Sequence, residues 1–153
     1  EFHVLYLNRA HTPLNCQCLF KGGITGTVTE ATKRIVERPR PYTSDAFEAK
    51  YPDVYNSDDM IALRTDTDTF KSFPSGHTSN AAATYFSTAA IIAKRSDDRT
   101  TDVLAYGTAS VLTGLTGYSR VRYGKHHITD TLVGAAIGTG IGLGVTYLYE
   151  RWH

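Results

Sequence analysis

The sequence predicts an all-α protein, a compact helical bundle, and three observations lead there. Apolar residues recur at helical spacing, no stretch alternates with the period of two that a half-buried strand needs, and Pro, Ser and charged clusters stand where helices start and stop. With 153 residues and no repeat, low-complexity tract or break in composition, the chain reads as one domain over 1–153. That length buries about two-thirds of the surface the unfolded chain exposes.

The first fifteen residues, ending in His11-Thr12-Pro13-Leu14, read as a short helix or extended segment broken at the proline. From Cys18 to Glu37, Ile24, Val28, Ala31 and Ile35 fall on one helical face with Thr and charged residues opposite, an amphipathic and water-exposed helix. Arg38-Pro39-Arg40-Pro41 stops it, because neither proline donates to the helical ladder. Residues 42–70, with seven Asp or Glu and no sustained period, read as a long irregular loop, the kind that serves as a lid or binding loop. A helix then starts at Pro74-Ser75-Gly76 and runs to about Lys94, where Lys94-Arg95-Ser96-Asp97-Asp98-Arg99 forms a polar turn. Two more are expected, over 101–117 and 128–149.

Residues 131–149 are 19 consecutive uncharged positions, enough to span a bilayer. The run is richer in Gly, Thr and Ala than in Leu, Ile and Phe, and the mean hydropathy of the whole chain is negative. It is therefore read as a helix of a soluble bundle. Gly134, Gly138 and Gly142 recur every four residues, a spacing that permits close helix packing in either setting.

The formal charge of +1 argues against a global field for nucleic acid or an acidic surface. Two clusters, Lys33-Arg34-Arg38-Arg40 and Arg120-Arg122-Lys125, suggest one or two local anion sites, although either cluster alone reads more readily as a solvated face. Cys16 and Cys18 are too close in sequence to join easily as an unstrained disulfide and make a poor zinc signature, so they read as thiols. The chain begins without Met or an apolar leader, as a mature chain or fragment would.

The sharp signal is an ordered set of three patterns. These are Lys33 with Arg40-Pro41 after six residues, Pro74-Ser75-Gly76-His77, and Ser119-Arg120 followed after five residues by His126 and after three more by Asp130. Singly they read as a helix end, a helix start and a polar turn. Together they specify eleven positions, each residue type having a usage of roughly one in twenty, so coincidence is remote. The set resembles the type 2 phosphatidic acid phosphatase superfamily, which also includes bacterial class A acid phosphatases and vanadium-dependent haloperoxidases. The matching motifs cover residues 33–130, and Leu7-Asn8 with His11-Thr12-Pro13 resemble weakly the usual start of such a domain. The resemblance implies the acid phosphatase/vanadium-dependent haloperoxidase type of bundle.

Physical chemistry gives each motif residue a use. A phosphoryl group in transfer spreads negative charge over three oxygens, and Lys33, Arg40 and Arg120 supply fixed positive charge for it. Ser75 and Gly76 lie at a predicted helix start, where unpaired N–H groups bind anions. His126 and Asp130 are four apart, so a carboxylate accepting from one ring nitrogen would leave the other as a nucleophilic lone pair. His77 is then the general acid and base. The resemblance implies the same division, with His126, His77 and Asp130 reacting and Lys33, Arg40, Ser75, Gly76 and Arg120 holding phosphate. It also implies metal-independent hydrolysis of a phosphate monoester through a phosphohistidine, with no cofactor.

One departure is visible: position 127, usually aromatic in similar proteins, is a second histidine, and the expected proline beside it is Ile128. His127 is read as an entrance or packing residue; a metal site at His126-His127-Asp130 is the weaker reading, because the neighbouring cations repel a metal ion. The substrate class that the resemblance suggests is a lipid phosphate or diphosphate at the extracytoplasmic face of a bacterial membrane, with peripheral membrane contact. Phe47, Tyr51, Tyr55, Met60, Ile61 and Leu63 of the 42–70 segment are candidates to cover an acyl chain. The competing readings are a soluble broad-specificity acid phosphatase, a vanadate-dependent haloperoxidase and a non-catalytic anion-binding module.

Overall fold

The computed structural model describes residues 21–50, 52–55 and 67–152. The expectations for the first fifteen residues, Cys16, Cys18, Tyr51, Met60, Ile61 and Leu63, and for the side chains of Phe47 and Tyr55, lie outside the description. The described residues form helices α1 (21–36), α2 (Asp45–Lys50), α3 (Pro52–Tyr55), α4 (Gly76–Arg95), α5 (Arg99–Arg122) and α6 (Ile128–Trp152), with 3-10 turns at Pro41–Thr43 and Thr67–Phe70 and no strand. The bundle is all-α, as the sequence predicts.

The long helices begin where their caps stand. Ser75 caps α4, its side chain accepting from the Thr78 amide, and Asp98 caps α5, its carboxylate accepting from the amides of Thr100 and Thr101. Those amide donors hold the Asp98 carboxyl below its usual range. Helix α5 runs five residues beyond the expected end, so Ser119-Arg120 lies in its last turn rather than in a loop. The 42–70 stretch is a correction to the sequence reading: its described residues contain α2, α3 and the Thr67–Phe70 turn, and the Pro41–Thr43 turn leads into it. Helices of four to six residues are shorter than the window over which periodicity shows.

Helix α4 is central and packs along both α5 and α6. The α4–α6 contact is made backbone to backbone by the glycine stripe. A Cβ placed at Gly134, Gly138 or Gly142 would stand 2.6, 2.0 and 2.4 Å from the carbonyl oxygens of Ser75, Ser79 and Ala83, respectively. Only glycine permits this approach. Phe86 meets Tyr106 between α4 and α5 at a ring separation of 6.5 Å, and Lys94 pairs with Glu150 at the far end.

The interior is built from small and hydroxylated residues: Ala82, Ala83, Ala89, Ala90 and Ala109 with Thr25, Thr29, Ser79, Thr113 and Thr146. Larger apolar side chains face outward, among them Leu104, Val111, Leu115, Leu132 and Leu148. Helix α6 is the one described helix long and apolar enough to cross a membrane, and its most apolar stretch is 28 % buried.

The orientation of α1 reverses the expected one. Its buried stripe is Lys21, Thr25 and Thr29, while Val28 and Ile35, on the apolar face, are 39 % and 82 % exposed. Small Thr side chains let α1 lie close to the Ser and Gly surface of α4, and Lys21 donates to Ser87.

Candidate active site

Lys33 continues the buried stripe of α1 and lies over the start of α4. Its ammonium is 3.5 Å from where a Gly76 side chain would begin, so glycine keeps the helix N-terminus open beside a positive charge. Glu30 receives that ammonium at 2.6 Å, and the bond holds the Glu30 carboxyl below its usual range.

After α1, Glu37 turns the chain at a positive φ of 45°, and residues 38–42 are laced between two other segments. The Arg38 carbonyl accepts from the Ser72 amide at 3.0 Å, and the Arg40 amide donates to the Thr69 carbonyl at 3.0 Å. The Arg40 side chain donates through Nε to the Asp68 carbonyl at 2.9 Å. From the opposite side His127 Nε2 donates to the Pro39 carbonyl at 3.3 Å, and the Tyr42 amide donates to the Gly124 carbonyl at 3.1 Å. His127 therefore packs the Arg-Pro segment against the start of α6.

His126 precedes α6 and is 3 % exposed. Its Nδ1 is 2.6 Å from the Ser72 carbonyl oxygen. A carbonyl only accepts, so Nδ1 carries the hydrogen and Nε2 is left with the lone pair. This corrects the sequence reading, in which the Asp130 carboxylate was the expected acceptor: Asp130 Oδ2 is 3.9 Å from Nδ1. Burial pulls the His126 pKa down to about 4, the Ser72 carbonyl and Asp130 opposing and Arg40 and Lys33 reinforcing the shift. The ring is neutral at neutral pH.

Asp130 is fully buried and its carboxylate is saturated with donors. Oδ1 receives Arg38 Nη1 at 2.6 Å; Oδ2 receives the His127 amide at 2.9 Å and the Ser72 hydroxyl. Arg38 Nη1 also donates to Thr129 Oγ1 at 2.8 Å.

At the start of α4 the Ser75 amide donates to the Asp130 carbonyl at 3.0 Å. The Ser75 hydroxyl is 2.9 Å from Thr78 Oγ1 and caps the Thr78 amide, so it serves the helix. The helix-start donors with no acceptor inside the helix are then the amides of Gly76 and His77. The His77 side chain is exposed, and its pKa is lowered first by partial burial and then by Arg120, Lys33, Lys125 and Arg40. Arg120 Nε is buried and has no hydrogen-bond partner among the described residues.

A family model described as the PAP2 superfamily matches residues 16–153. The chain belongs to the PAP2 superfamily. Comparison with curated proteins and with solved structures gives no match. PAP2 members are generally phosphatases or related enzymes, which makes a phosphate ester the coarse substrate class.

In this PAP2 chain the eight expected site residues come from three regions that meet at the starts of α4 and α6. The coulombic coupling of Lys33 and Arg40 to both His77 and His126 expresses that proximity. Sequence reasoning missed Arg38, Ser72 and Thr129. Arg38 had a signal, as a member of a basic cluster beside a carboxylate that needed a partner. Ser72 had none, because its contribution to His126 is a main-chain carbonyl.

Proposed function

We propose that this PAP2 protein is a metal-independent phosphatase acting on a lipid phosphate or diphosphate, with His126 as nucleophile and a phosphohistidine intermediate. The observation that carries this reading is the 2.6 Å contact from His126 Nδ1 to the Ser72 carbonyl, which leaves Nε2 as a lone pair on a neutral ring. Nε2 attacks phosphorus, the bond from phosphorus to the ester oxygen breaks, and His77 gives its proton to the departing oxygen. Water then attacks phosphorus, the P–N bond breaks, and His77 takes the proton from the water.

The His77 pKa is lowered first by partial burial and then by its cationic neighbours, and a dianionic phosphate beside the ring opposes the cationic part of that shift, which favours the protonated form that an acid needs. Lys33, Arg40 and Arg120 with the amides of Gly76 and His77 surround the transferring group, and charge development on its oxygens is what such donors stabilise. The apolar exterior supports a lipid substrate. Ile128 and Leu132, two residues either side of Asp130, are each 64 % exposed, and Tyr118 near Arg120 is 68 % exposed. This arrangement suits a site at a membrane surface, and the family resemblance suggests its extracytoplasmic face.

His126→Ala tests the reading, with turnover measured alongside an acid-labile phosphoenzyme trapped by rapid quench. Both are expected to vanish while phosphate still binds. Near-normal turnover in the variant overturns the assignment.

A further inference from the structure

We infer that Arg38 is a positioning residue for His126, acting through Asp130 and Ser72 without touching phosphate. The inference rests on the phosphatase reading of His126 and adds a residue from the spacer of the first motif, a position that the motif leaves unspecified.

The argument begins from the acceptor of the His126 proton. The Ser72 carbonyl sets both the tautomer and the direction of the ring, so whatever holds Ser72 aims the lone pair on Nε2. Arg38 holds Ser72 by two routes. In the main chain, the Ser72 amide donates to the Arg38 carbonyl at 3.0 Å. Through side chains, the Arg38 guanidinium binds Asp130 Oδ1 at 2.6 Å, and Asp130 Oδ2 takes the Ser72 hydroxyl. The Ser72 carbonyl is thereby held from both sides by one arginine.

Asp130 is the joint of this chain. Its carboxylate has no exposure, and a buried anion persists only when paired and fully hydrogen-bonded. Arg38 is the cation in contact with it, whereas the Ser72 hydroxyl and the His127 amide are neutral donors. Nη1 of Arg38 is shared between Asp130 Oδ1 and Thr129 Oγ1, the latter at 2.8 Å, so it is committed to the start of α6. In the basic cluster Lys33-Arg34-Arg38-Arg40, one member thus stabilises the machinery and leaves phosphate contact to Lys33 and Arg40.

The test is a double-mutant cycle on the whole protein with Arg38→Ala, Arg38→Lys, Asp130→Asn and the Arg38→Ala/Asp130→Asn pair. Removing Arg38 is expected to lower kcat by about tenfold or more, while KM and competitive inhibition by inorganic phosphate change by less than about twofold; such a split marks an interaction felt in the transition state alone. Arg38→Lys should restore part of kcat. The double variant should be no slower than Asp130→Asn, because residues acting as a unit are not additive. It also buries no unpaired charge, so it remains informative if Arg38→Ala fails to fold. Additive losses, wild-type kcat in Arg38→Ala, or inhibition by inorganic phosphate weakening in step with kcat each overturn the assignment. Failure of the phosphatase reading itself is distinct: the wild-type protein would then form no acid-labile phosphoenzyme.

Discussion

The amide of Ser75 donates to the carbonyl of Asp130 at 3.0 Å, and this one main-chain bond joins the start of α4 to the start of α6. It brings the helix-start amides beside His77 to the segment that carries His126. Gly134, one turn further along α6, lies under the Ser75 carbonyl with room for no Cβ.

The glycine stripe should therefore be intolerant where it touches α4 and tolerant elsewhere. Gly138→Ala places a methyl group 2.0 Å from the Ser79 carbonyl, main chain that yields poorly, and should cost about 1–3 kcal/mol or more. Gly140→Ala meets nothing within 4 Å and should stabilise the helix by roughly 0.5–1 kcal/mol. Denaturant melts of both variants decide this; equal effects would show that the α4–α6 contact is not as described.

Replacing His77 should separate substrates by leaving group. His77→Ala is expected to slow an alkyl phosphate by roughly 10²–10⁴-fold, the usual worth of a positioned acid. A nitrophenyl phosphate, whose leaving group departs without a proton, should suffer much less. Equal losses for the two esters would count against the acid role.

His126 should also make stability depend on pH. Its pKa is about 4 in the folded protein against 6.5 when unperturbed, so between those values the unfolded chain binds the extra proton. Stability is then lost as pH falls through this window and is regained as pH rises. From pH 7 to pH 5 the contribution of His126 is about 2 kcal/mol. Lowered His77 acts in the same direction, so His126→Asn should flatten the urea-midpoint profile in part. An unchanged profile would mean that the ring is not buried neutral.

Turnover should persist in a strong chelator, since Lys33, Arg40 and Arg120 supply the charge that a metal would. Orthovanadate, which imitates the five-coordinate phosphorus of the transition state, should inhibit. Activity abolished by chelator and restored by a divalent cation would redirect attention to the His126-His127 pair. Bromide oxidation on adding vanadate would favour the haloperoxidase reading instead.

Much of this was legible in the chain. The start of α4 announces itself because Ser75 is a local cap, whose chemistry involves only the next three residues, whereas Asp98 was read only as part of a polar turn. The motif residues were legible because phosphate chemistry calls for particular side-chain types, and side-chain types are what letters record. The helical turns within 42–70 were not, being too short for a period to show, and α1 was turned the wrong way because its partner surface is small and polar rather than apolar.

By itself the sequence determined the helical class and the family, and it nominated the groups proposed for the chemistry: two imidazoles, three cations, an acid and a glycine-bearing helix start. Tertiary structure alone decided how they are aimed. The acceptor for His126 is a carbonyl that any residue at position 72 would carry, and the choice of Asp130 as partner for Arg38 depends on segments more than ninety residues apart meeting. Main-chain acceptors leave no trace in residue identity, and a basic cluster does not say which carboxylate it will meet, because both are settled only when packing has excluded water from the buried polar groups.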